Sequence, residues 1–278
     1  MNDIKAQEKK LFNEWAQSLH QSEQEFCPNG GLLFRGDFYL NEPDEKSNYT
    51  WGRNPGDECS LWCNSSKRLM ILTKDLNDEI LWDIREESGG RCPLSENCIP
   101  LDEQLCYKGI PFYRKINRWV YGIFQENHGI YPMFNDIKKE YNILGRFYEK
   151  APVVRINCKH EVGKSRVENH ILKEAMYKDA LFLTKQLKIY KANIILCCGY
   201  TEKTGNIIMD FVKDNYLNDL QVVESTDNWI YFSAKENVIV INSYHPSATI
   251  LDDESLYDEL MKNFVRGISR SGIVFSPI

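Results

Sequence analysis

Three short polar segments carry the side chains best suited to chemistry, and each directly follows an apolar run. Residues 68–73 (RLMILT) lead into Lys74-Asp75-Leu76-Asn77-Asp78-Glu79. Residues 153–156 lead into Asn157-Cys158-Lys159-His160, and residues 238–242 (VIVIN) into Ser243-Tyr244-His245-Pro246-Ser247. A carboxylate such as Asp75 can orient a water or stabilise a developing cation. An amide such as Asn157 can read the edge of a base with one donor and one acceptor. An imidazole such as His245 can hydrogen-bond a leaving group that gathers negative charge. Taken singly, each residue has a plainer explanation: a helix cap for the Asp, a turn for the Asn, and an ordinary loop dipeptide for His-Pro. What matters is whether one fold brings them together.

The elements behind them suggest that it does. The runs at 68–73, 153–156, 193–198 and 238–242 are short and continuously apolar, as expected of parallel strands buried on both faces. Between them lie helical patterns at 113–125, 167–187 and 204–218, so the chain reads as βαβ units. Such a fold is a three-layer α/β/α arrangement around a mainly parallel four-stranded sheet, and its ligands bind beyond the carboxyl ends of the strands. An N-terminal helix is expected over residues 5–21, where Leu11, Trp15 and Leu19 share a face. Residues 30–40 read as extended, and the turn-rich 42–66 reads as a surface excursion. The division is therefore an N-terminal helix and extended segment at 1–66, packed on an α/β domain at 67–278. Residues 79–108 form an insert longer than a simple βα loop, suited to a lid or to substrate contacts.

Composition sets outer limits. The 278 residues are 42% hydrophobic and 27% charged, ample for a full core. No apolar run is long enough for a bilayer, and the charged N-terminus has no signal-peptide core, so a cytoplasmic protein is expected. The formal net charge is −6, from 34 basic and 40 acidic residues. That balance predicts weak non-specific binding to nucleic acid, although a local basic face can coexist with it.

The order and surroundings of these segments resemble the uracil-DNA glycosylase superfamily. Its first motif, as in GQDPYH, places the water-orienting acid in a loop after a strand, and TKDLND here places Asp75 there. Gly109-Ile110-Pro111-Phe112 matches the G-x-P-F of some branches, whose Phe stacks on the extruded base. Asn157 fills the place of the base-pairing Asn in TNVVKC, and His245-Pro246-Ser247 matches the closing HPS. The apolar run ending in Gly199 is similar to a later strand of the family. The resemblance covers roughly residues 67–265.

It implies a monofunctional DNA glycosylase that flips a nucleotide out of the stack and hydrolyses its N-glycosidic bond, leaving an abasic site. Asp75 would position the water, and His245 would hydrogen-bond the departing base. Phe112 would stack on the base, and Asn157 would read its edge. Ser243 and Ser247 would contact phosphate, as would Lys159, Lys164 and Arg166, and Ile250 could wedge into the base stack. Where the uracil-specific branch has Pro and a bulky Tyr after the acid, this chain has Leu76 and Asn77. The smaller Asn77 opens room beside the base, so the substrate is uracil or a 5-modified pyrimidine such as the modified cytosine of phage DNA. The alternative is a non-catalytic module on the same fold that binds DNA or another partner.

Other motifs carry less. Gly163-Lys164-Ser165 echoes the end of a phosphate-binding loop, but the glycine that loop requires is replaced by Cys158. The cysteine spacing does not match the iron–sulfur pattern of related branches, so no cluster and no other cofactor is expected. Cys59, Cys63, Cys92, Cys98 and Cys106 lie in turn-rich stretches that would suit a structural zinc, although their spacing is irregular.

Overall fold

A computed structural model describes residues 4–19, 26, 39–40, 51–52, 58–74, 111–163 and 167–278. Helix α1 (Ile4–Leu19) is followed by an antiparallel pair, β1 (Tyr39–Leu40) and β2 (Trp51–Gly52), and by helix α2 (Glu58–Asn64). Strand β3 (Leu69–Thr73), helices α3 (Pro111–Gln125), α4 (Phe134–Ile137) and α5 (Tyr141–Lys150), and strand β4 (Val153–Asn157) come next. Then come α6 (Asn169–Lys178), α7 (Ala180–Tyr190), β5 (Ile194–Cys198), α8 (Ile207–Asn215), β6 (Gln221–Val222), β7 (Ile230–Ser233), β8 (Val238–Ser243) and α9 (Asp253–Ser271).

The protein is an α/β fold built on a mixed six-stranded sheet, ordered β4-β3-β5-β8-β7-β6. The four apolar runs of the sequence are β4, β3, β5 and β8, mutually parallel neighbours. The expectation of a four-stranded sheet is corrected, because residues 221–233 form a hairpin that adds antiparallel to β8. That hairpin is hard to read in sequence. Its first strand has two exposed residues, and its turn depends on left-handed Ser225, Asp227 and Asn228.

Parallel strands are buried on both faces, and alternate residues divide the interior in two. Met70, Leu72, Val154, Ile156, Ile195, Cys197, Val238 and Val240 face a cluster that includes Phe12 and Trp15 of α1, Trp62 of α2 and Leu183 of α7. Leu69, Ile71, Val153, Ile194, Leu196, Cys198, Ile239 and Ile241 face the other cluster, with Trp119 of α3, Leu144 of α5, and Tyr257 and Phe264 of α9. Helices thus cover both sides of the sheet.

Three local expectations change. The surface excursion at 42–66 contains α2, whose Trp62 is wholly buried and donates its indole N–H to the Tyr190 carbonyl at 2.8 Å. The helical pattern at 167–187 is two helices. The chain leaves helical geometry at Asp179 (φ −97°, ψ 16°), whose carbonyl accepts the N–H groups of Phe182 and Leu183. The 19-residue α9 is an added amphipathic helix, N-capped by Asp252, whose carboxylate accepts the Ser255 N–H at 2.8 Å.

Candidate functional site

The carboxyl edge of the parallel strands carries a row of small polar side chains. Asn157 pairs with Thr73 across β4 and β3, and Cys198 with Ser243 across β5 and β8. Because Leu72 pairs with Cys197, Thr73 and Cys198 fall at the same level. The period of two turns all four toward the side packed by α3 and α9. Thr73 donates its hydroxyl to the Asn157 amide oxygen, which orients the amide. Ser243 is 1% exposed, and its hydroxyl has no hydrogen-bond partner among the described residues. Past the strands, the Cys158 and Lys159 N–H groups donate to the carbonyls of Thr73 and Lys74 at 2.9 and 3.0 Å, so the two loops leave the sheet side by side.

Helix α3 starts at Pro111, where proline's fixed φ and missing N–H suit the first helical turn. That start brings Phe112 over the edge. The Phe112 ring lies 5.7 Å from the His245 ring, tilted by 46°, and 5.3 Å from Tyr113, edge to face. The Arg155 guanidinium sits 5.4 Å from the Phe112 centroid, in cation–π range. It also donates to the Tyr113 hydroxyl at 3.3 Å. Arg155 precedes Asn157 by two on β4, on the same face.

The loop after β8 is a tight turn. The Ala248 N–H donates to the His245 carbonyl at 2.8 Å, and the Ser247 N–H donates to His245 Nδ1 at 3.1 Å. An uncharged imidazole that accepts at Nδ1 carries its proton on Nε2, so the turn also sets the tautomer. Lys115 of α3 donates to the Ala248 carbonyl and lies 3.5 Å from Asp253, which ties the Phe112 helix to the His245 loop. Asp253 also receives Arg114 and Arg118, both at 2.9 Å. Burial would raise the Asp253 carboxyl, but Arg114, Arg118 and Lys115 outweigh it and hold it below its ordinary value.

The electrostatic consequence falls on His245. Burial, then the positive charges of Lys74, Arg155 and Lys115, push its pKa down to about 4. At neutral pH the imidazole is uncharged, and it faces cations arriving from three elements. Such a site can donate a neutral hydrogen bond to a leaving group while the surrounding charges stabilise the anion that forms.

The candidate residues fall into three groups. The structure brings Phe112 and His245 into contact, and Arg155, which meets Phe112, shares its face of β4 with Asn157. Ser243 lies buried at the end of β8, whereas Ser247 is exposed and serves His245 through its backbone N–H. Lys159 turns back on its own loop, donating to the Val162 carbonyl at 2.6 Å. Ile250 is 56% exposed just beyond the turn. Asp75, Asn77, Lys164 and Arg166 lie outside the described residues, as do Cys92, Cys98, Cys106 and the insert at 79–108.

Arg155, Lys115, Lys74 and Thr73 were not singled out from the sequence as parts of this site. The one available signal was an arginine in the middle of an otherwise apolar strand, VVRIN, where a charge needs a reason. Cys63 is buried and Cys59 partly buried, both on α2. Among the described residues, no group of three or more His, Cys, Asp or Glu side chains could hold a metal ion, and no helix is long and apolar enough to cross a membrane. Comparison with family models and with curated proteins gives no match.

Proposed function

We propose that this protein is a monofunctional DNA glycosylase of the uracil-DNA glycosylase superfamily, its sheet and helices forming that family's three-layer α/β/α sandwich. Its substrate is DNA carrying uracil or a 5-modified pyrimidine, and its products are the free base and an abasic site. The observation that supports this most is an uncharged, cation-flanked His245 in contact with Phe112, on the sheet face that also carries Asn157.

In this reading a flipped pyrimidine stacks on Phe112, and the Asn157 amide, oriented by Thr73, reads its edge. As the glycosidic bond lengthens, electrons move onto the base. The Nε2–H of His245 hydrogen-bonds the base oxygen that gathers this charge, and Lys74, Arg155 and Lys115 stabilise it by their field. A neutral donor suits this role because the leaving base is itself a weak acid and needs no full protonation. Asp75, next to Lys74 in the chain, stabilises the cationic sugar and takes the proton of the attacking water. Asn77 leaves room at the pyrimidine 5-position, and the exposed Ile250 fills the gap left in the base stack.

The test is incubation of the full chain with DNAs containing uracil, thymine mispairs or 5-substituted cytosines, followed by alkali to reveal abasic sites. Cleavage of the uracil or 5-substituted substrates is expected, with Asp75→Ala and His245→Ala lowering turnover at least a hundredfold, about the scale for losing one transition-state contact. Parental turnover in both variants would refute the assignment. Tight binding of a flipped-base analogue with no base released would favour a binding module instead.

A further inference from the structure

We propose that Arg155 is a positioning residue of this site: from β4 it braces the Phe112 ring and brings a fixed positive charge to the place where negative charge collects beside His245. An aliphatic residue between Val153 and Asn157, opposite Ile71, would extend the apolar face and avoid the desolvation cost of a guanidinium. The arginine instead spends its geometry on the site. It covers Phe112 at 5.4 Å and is anchored by the Tyr113 hydroxyl at 3.3 Å, so one planar group fixes two consecutive rings of α3. Phe112 in turn meets His245 at 5.7 Å.

Among the described residues, the charged groups that act on His245 are Lys74 after β3, Arg155 on β4, and Lys115 on α3, the last partly offset by Asp253 at the head of α9. Of these, Arg155 alone combines the charge with direct contact to the stacking ring. The electrostatic half of the proposal stands whatever the reaction, whereas its kinetic half rests on the glycosylase reading.

Two variants of the full chain test it, with folding checked by urea titration. Arg155→Met keeps an unbranched apolar stem but loses the charged guanidinium, and His245, followed by NMR, should titrate at higher pH than in the parent. Arg155→Lys keeps the charge but cannot both cover Phe112 and reach Tyr113. Its His245 titration should stay near the parent's, while kcat for base release falls roughly tenfold with KM little changed, as for a displaced contact. A folded Arg155→Met protein with the parental His245 titration, or an Arg155→Lys protein with parental kcat, would overturn the proposal. If the parent releases no base, the glycosylase reading fails, and the Arg155→Met titration alone decides this one.

Discussion

Replacing His245 with glutamine should make the protein relatively more resistant to acid, because the native imidazole is held in a setting that refuses a proton. Burial and the charges of Lys74, Arg155 and Lys115 push its pKa from 6.5 down to about 4. As pH falls through 6.5, the unfolded chain protonates this histidine while the folded chain does not. Stability is therefore lost over the window from about 6.5 to about 4, and above 6.5 the group makes no difference. The gap between the two values corresponds to roughly 3 kcal/mol once both states are titrated. Glutamine has a similar reach and no titration. Urea unfolding of parent and variant at pH 7.5 and 4.5 isolates this histidine, because every other ionisable group is common to both. The difference in unfolding free energy should move in favour of the variant by about 2.5 kcal/mol between the two pH values. The same difference at both would mean that the imidazole is not in the cation-flanked environment described, and the argument for a neutral donor would collapse.

Two further outcomes follow from the packing around the site. Asp253→Asn removes the carboxylate shared by Arg114, Lys115 and Arg118, and Arg118 is only 3% exposed. It should cost about 2–3 kcal/mol in urea unfolding, because breaking such a cluster leaves buried positive charge uncompensated. Gly199→Ala would place a Cβ 2.5 Å from Asn206 Oδ1 and 3.2 Å from Ile208 Cδ1. Asn206 caps α8 and bonds the Cys197 carbonyl and Asn242, so the change should cost about 1–3 kcal/mol by thermal or urea melting; an unchanged midpoint would show that the close approach is relaxed at no cost.

The parallel part of the fold was legible because its physics is local. A strand buried on both faces must be apolar throughout, and LMILT, VVRIN, IILCC and VIVINS are nearly so. Once those strands lie parallel, their carboxyl ends share an edge, and Asn157 and His245 reach it without further information. What escaped the sequence depends on distant partners. The β6–β7 hairpin joins a short strand, IYFS, to a two-residue exposed one and is held by β8. Helix α2 sits in a stretch whose composition signals turns, yet Trp62 is drawn inward by the Tyr190 carbonyl. The cations of the site were missed for the same reason. Lys115 lies three residues past Phe112, and nothing in that stretch indicates that it will meet the carbonyl of Ala248, 133 positions later.

A formal charge of −6 is compatible with the proposed polyanionic substrate once the distances are considered. In physiological salt, charges separated by more than about 8 Å of water are largely screened, so acidic residues on remote faces contribute little at the sheet edge. Within the site the order reverses. Lys115 has 5% and Arg118 3% of its side chain exposed, and a charge at such depth acts through protein, where its field is several times stronger than through water. The depressed titration of His245 comes first from burial and then from that field, to which three cations contribute despite an acidic chain. If DNA is the substrate, as proposed, net charge governs how weakly it is held at random. In the proposed reading, the buried cations govern what happens to negative charge once a base has entered, and only they bear on the proposed catalysis.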